Sequence, residues 1–162
     1  MFNRKEVSKY FIICSFFIFF ILIVIVCFVQ FLDYSIIKPI EITNINENDL
    51  VQWEIENINN GNHYIAIDGY AFIEGEKPRE FNLNVVLQNT ETMKAYELPT
   101  VLVTKEELTN YTSDEIDYSN SGFFSIVNKE IIDYDNYTFK ILIKYYSDGN
   151  RFFIDTDQIL SK

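Results

Sequence analysis

Residues 137–156 read YTFKILIKYYSDGNRFFIDT. Tyr137, Phe139, Ile141, Ile143 and Tyr145 recur at every second position, opposed by Thr138, Lys140, Leu142 and Lys144. A period of two places one set on each face of a β-strand. Ser147-Asp148-Gly149-Asn150 interrupts the alternation. Asp-Gly at its centre signals a hairpin, because tight hairpin turns need positive φ at their central residues. Arg151 to Thr156 is the returning strand.

The same period recurs upstream. Phe81, Leu83, Val85 and Leu87 alternate with Asn82, Asn84 and Gln88, and Val51, Trp53 and Ile55 alternate with Gln52, Glu54 and Glu56. Asn59-Asn60-Gly61-Asn62 reads as a turn into a strand over 63–73, whose Gly69 implies a bulge or a close neighbour. Glu74 to Pro78 is a turn, Lys94 to Leu98 a hairpin partner, and Val101 to Val103 an edge strand. Phe123 to Val127 is another strand. Residues 104–121 form one long polar excursion. In it Thr104 and Glu107 have the spacing of a capping box, and Asp114, Glu115 and Asp117 crowd together. Seven or eight strands joined by loops predict an all-β fold, an Ig-like antiparallel β-sandwich. The Cys…Trp…Cys spacing of antibody domains is absent, and a closed barrel would show the same period.

The N-terminal part differs. Tyr10 to Leu32 carries no charged residue. As a helix it would rise about 34 Å, against a hydrocarbon core of roughly 30 Å. A single N-terminal transmembrane helix over 10–32 is therefore expected, with the lipid bilayer as a partner. Arg4, Lys5 and Lys9 precede it, while acidic residues dominate after it. The positive-inside rule makes residues 1–9 a cytoplasmic tail and the C-terminal part extracellular. No small-residue cleavage pattern follows the run, so an uncleaved signal anchor is preferred to a cleaved peptide. Residues 33–48 read as a stalk, with Pro39, Asn44, Asn46 and Asn48. Its isoleucines, Ile36, Ile37, Ile40, Ile42 and Ile45, are too apolar for a solvated linker. The β-domain is placed at 49–162.

Ten of the 13 basic and 23 of the 24 acidic residues lie beyond residue 32, a net of −13. So acidic a chain does not suit nucleic acid, which is bound through cationic contacts. Both cysteines, Cys14 and Cys27, fall in the apolar run, so the β-domain has no disulfide.

No catalytic spacing is present. His63 is the single histidine, too few for the common zinc sites. There is no nucleophile elbow and no phosphate loop. No cofactor is expected. Calcium is the alternative at Asp133 and Asp135, where a turn offers hard oxygen ligands, although the EF-hand spacing is missing. The aromatic content is high, with paired rings on opposite faces at Phe123–Phe124, Tyr145–Tyr146 and Phe152–Phe153. One ring of each pair must face solvent, the polar loop or a partner. Tyr70, Tyr146 and Phe153 are the candidate ligand-binding residues, since exposed rings beside Asp and Asn suit stacking on sugars or gripping an extended protein segment.

Ile67-Asp68-Gly69-Tyr70-Ala71-Phe72-Ile73-Glu74-Gly75 resembles the I-x-G-[WY]-A-F-I-x-G core of small β-rich domains in membrane-anchored or surface-associated proteins of Gram-positive bacteria. Some of these sit beside cell-wall or capsular polysaccharide machinery. Leu98-Pro99-Thr100, Ser121-Gly122-Phe123 and the Tyr137–Asp155 hairpin belong to the same resemblance, which spans roughly residues 50–158. Tyr70 stands where many such stretches have Trp. The resemblance implies a non-catalytic accessory or binding module of the cell envelope, with a glycan or a membrane or surface protein as ligand. A structural subunit of a larger membrane complex is the alternative, and a carboxylate-dependent hydrolase is a third reading.

Overall fold

A computed structural model describes residues 4–42, 50–77, 81–109, 111 and 116–162. Asn44, Ile45, Asn46, Asn48, Pro78, Asp114 and Glu115 lie outside the described residues. The chain divides into two compact units, Met1–Ile36 and Ile37–Lys162.

The first unit is α1 (Arg4–Ser35), a 32-residue helix. Its described side chains, such as Phe16, Phe17 and Phe20, are exposed. Among the described residues no helix is long and apolar enough to cross a membrane. This corrects the expected transmembrane helix at 10–32. The signal anchor, the bilayer as partner and the single-pass topology with a cytoplasmic N-terminus and an extracellular domain fall with it.

The second unit holds two antiparallel sheets, and they do not close into a barrel. Its strands are β1 (Lys38–Ile40), β2 (Val51–Asn60), β3 (Tyr64–Ile73), β4 (Phe81–Asn89), β5 (Ala95–Glu97), β6 (Thr100–Val103), β7 (Gly122–Asn128), β8 (Phe139–Ser147) and β9 (Asn150–Leu160). One sheet runs β1-β5-β4-β8-β9 and the other β2-β3-β7-β6. From β2 onward, the strands pair in the order of the ABED and CFG sheets of immunoglobulin-type sandwiches, with β5 added beside the second.

Among the described residues there are nine strands, where seven or eight were expected. Lys38–Ile40, in the segment read as a stalk, pairs with β5. Ile37 packs on the main core, and Ile40 and Ile42 pack on a smaller cluster of Val86, Ala95, Leu142 and Phe153. The alternating residues form the core between the sheets: Ile65, Ile67 and Ala71 of β3, Leu83, Val85 and Leu87 of β4, Phe123 of β7, and Phe139, Ile141, Ile143 and Tyr145 of β8. Trp53 packs at its rim.

Between β5 and β6 the chain leaves one sheet for the other, and Thr100 makes that corner. The Val85 N–H donates to its Oγ1 at 3.0 Å, and Ser125 Oγ lies 2.7 Å away. The same hydroxyl is 3.0 Å from the Leu98 carbonyl. Thr100→Val keeps the shape and strands the Val85 N–H in the core. The expected cost is about 2 kcal/mol, the penalty of a buried unpaired donor. It is read as a lower urea midpoint at unchanged slope. Ser125→Ala, which leaves Val85 paired, is expected to cost half as much or less.

Candidate functional site

Register fixes what each sheet shows to solvent. On the outer face of β2-β3-β7-β6, one row runs Glu54–Tyr70–Gly122–Val103 and the next Asn57–Asp68–Phe124–Val101. Asn59–Ala66–Ile126 lies beyond. Leu108, Tyr111, Ile116 and Tyr118, from between β6 and β7, pack against Tyr70 of the first of these rows and against Phe72. Tyr118 stacks on Phe72 with ring centroids 4.2 Å apart, and Leu108 is buried in the same cluster. Tyr111 stands edge-on to Phe72 at 5.4 Å. The Gly75 N–H donates to the Tyr118 hydroxyl at 2.8 Å, and the Lys105 N–H donates to the Ser119 carbonyl at 2.7 Å. Asp117 accepts the Ser119 N–H at 2.9 Å. That backbone bond holds its carboxyl below the usual carboxylate range.

The capping box does not form. Glu106–Leu108 is a single 3₁₀ turn with Lys105 at the capping position and no side-chain cap, and Thr104 Oγ1 lies 3.5 Å from Asn120 Oδ1. Lys105 instead crosses Gly122 to reach Glu56 and, at 3.6 Å, Asp68. Gly122 must lack a side chain here: a Cβ would stand 2.6 Å from Lys105 Cγ and 2.6 Å from the Val103 carbonyl oxygen. Burial opposes the Lys105 charge, but the Glu56 hydrogen bond and the Glu56, Asp68 and Glu107 charges outweigh it and raise its pKa. Tyr70 donates to Glu54 at 2.9 Å, with the Tyr111 hydroxyl 3.4 Å away. Burial first, then these two partners, push its hydroxyl well above the usual tyrosine range.

Past Lys105 the cover ends. Val101, Phe124 and Ile126 stand 45%, 37% and 47% exposed, contiguous on one sheet face. Leu102, at the edge, is 46% exposed. Together Val101, Phe124 and Ile126 form an uncovered apolar patch on this face.

The residues singled out from sequence fall in three places. Tyr70 is 6% exposed, clustered with Phe72, Leu108 and Tyr118 on one outer face. Tyr146 and Phe153 lie on the outer face of the other sheet, opposite Arg151 and Lys144 respectively. Tyr146 is half-buried and Phe153 only 2% exposed, packed with Val86, Ala95 and Leu142. The two outer faces point away from each other, so Tyr70 does not join Tyr146 and Phe153 in one site.

Asp133 and Asp135 are exposed in the turn between β7 and β8. Asp133 accepts from Asn136 Nδ2 at 2.7 Å, and Asp135 pairs with Lys162 at 3.3 Å. His63 shares a depression of about 510 Å³ with them. Among the described residues no group of three or more His, Cys, Asp or Glu could hold a metal ion.

The sequence reading missed Val101, Leu102, Ile126 and Lys105. The adjacent rings Phe123 and Phe124 carried the usable signal, since one of them had to leave the core.

No protein-family model matches the chain, and no curated protein matches it. Among solved structures, the crystal structure of S. aureus TarS is similar, with a TM-score of 0.44 and 13% identity. The match covers 64% of this chain and 16% of that one. It is a weak and partial structural resemblance.

Proposed function

We propose that this chain is a non-catalytic accessory module of the cell envelope that binds a protein ligand through the outer face of the β2-β3-β7-β6 sheet. The carrying observation is the uncovered patch of Val101, Phe124 and Ile126. Two of its three side chains, Val101 and Ile126, are aliphatic and flank the partly exposed Phe124 ring, a mix that suits apolar side chains of a protein. The non-catalytic reading is supported by where the polar groups are spent. Thr100, Ser125, Thr156 and the Tyr134 hydroxyl all serve structural hydrogen bonds. The envelope setting rests on the resemblance of the Ile67–Gly75 stretch.

A glycan ligand would use the other outer face, where Asn82, Tyr146 and Arg151 form a polar row. The full-length chain is to be screened against a displayed peptide library and an envelope-glycan array, beside Phe124→Asp and Tyr146→Ala. Peptide ligands that lose at least tenfold in affinity with Phe124→Asp, and keep it with Tyr146→Ala, are the expected result. Saturable glycan binding that disappears with Tyr146→Ala would overturn the proposal.

A further inference from the structure

We infer that the ligand of this face is an extended, basic and apolar polypeptide segment that adds to β6 as a fifth strand of the sheet. The inference rests on the protein-binding reading above and specifies its partner. Successive side chains of a strand point to opposite faces. Val101 and Leu102 are nonetheless about equally exposed. Exposure on both faces at consecutive residues is what an edge lacking its neighbour strand produces. In the sheet order β6 is terminal, with β7 on one side and, among the described residues, no strand on the other.

The other three edges are guarded in the ways that discourage strand addition. β1 is three residues long and carries Lys38 and Pro39. β2 has a bulge at Glu56, with Glu54 and Asn57 beside it. β9 has a bulge after Asp155, where Asp157 takes φ 53°. β6, with the sequence TVLV, has no charge, no proline and no bulge. Its four residues limit the contact to a short segment.

Charge selects the partner. Glu106 and Glu107, both exposed, lie three and four residues beyond the end of β6. Lys105, between β6 and these two acids, is already shared between Glu56 and Asp68. A strand beside β6 would place alternate side chains next to Val101 and Val103 on the outer face and next to Leu102 on the inner. Apolar residues there, with lysines or arginines at the end near Glu106 and Glu107, complete both requirements. Main-chain hydrogen bonds would supply affinity and the side chains selectivity, as in other strand additions.

The test uses the full-length chain and a synthetic eight-residue Lys-Val peptide, four central valines between paired lysines at either end, followed by fluorescence anisotropy. Two controls go with it: a Glu-Val counterpart, and a Lys-Val peptide N-methylated at alternate backbone nitrogens along one edge, made in both registers. Expected are saturable binding of the Lys-Val peptide, at least tenfold weaker binding of Glu-Val, and at least tenfold loss in one N-methyl register. Loss with Phe124→Asp but indifference to N-methylation in both registers would sink strand addition while leaving the binding face in place. Absence of peptide binding, or a concentration-dependent dimer of the chain that Leu102→Lys dissolves, would overturn the inference. The second result would make another copy of the chain the occupant.

Discussion

Gly69→Ala is expected to destabilise the β-domain by about 3 kcal/mol, at the upper end for overpacking, lowering Tm on the order of 10 °C. A Cβ on Gly69 would lie 2.1 Å from the Glu54 carbonyl oxygen and 3.0 Å from Phe123 Cζ. The first neighbour is backbone and cannot swing aside. It comes that close because β2 carries one extra residue: Ile55 pairs with Gly69 and Asn57 with Asp68, leaving Glu56 as the bulge. Glu56 is also the residue that takes Lys105, so the bulge reaches the candidate site. Gly75→Ala is the internal comparison. Nothing lies within 4 Å of its would-be Cβ, and its φ of 79° alone opposes a side chain. That position should cost about 1 kcal/mol. Shrinking Phe123 to Leu in the Gly69→Ala background should restore little, since the Glu54 carbonyl remains. Equal costs at Gly69 and Gly75, by urea unfolding, would show that the close approach of β2 is not what fixes this glycine.

How much of this was legible follows from which forces are local. The inner faces were readable because a period of two survives in Phe81 to Leu87 and Phe139 to Tyr145, and those residues are the core. Gly69 was readable too, as a glycine in a strand that needed a bulge or a close neighbour. The outer faces were not. Phe153 and Tyr70 look like candidates for exposure because each lies opposite a core-facing neighbour. Each is buried by chain distant in sequence, Phe153 in the cluster that Ile40 and Ile42 pack on and Tyr70 by the segment carrying Leu108 and Tyr118. Local pattern holds no information about which remote loop lies across a sheet. The same limit explains β1, whose Pro39 argued for a stalk although an edge strand tolerates proline. At Thr104 the sequence offered a cap, but Lys105 takes the capping position and its ammonium goes to the acids of β2 and β3 instead. The patch at Val101, Phe124 and Ile126 is defined by where the covering segment stops, and only the folded chain shows that.

Phe72→Ala should open that covering segment without unfolding the sandwich. Phe72 is buried, stacked on Tyr118, and in ring contact with Tyr70 and Tyr111. Truncating a buried Phe typically costs about 3–5 kcal/mol. Here the loss falls on a cluster separate from the inter-sheet core. A segment held by one small cluster and a few hydrogen bonds opens as its own unit, at a free energy below that of global unfolding. Hydrogen exchange of the Lys105 and Gly75 amides, bonded to Ser119 and Tyr118, should therefore accelerate by about two orders of magnitude, ~3 kcal/mol at 1.4 kcal/mol per tenfold. Amides pairing β4 with β8 should keep their protection. Tyr118→Phe, which removes only the hydroxyl taking the Gly75 N–H, should shift Gly75 by about tenfold and leave Lys105 nearly unchanged. A uniform loss of protection across both sheets in Phe72→Ala would mean that the segment is part of the sandwich's cooperative unit.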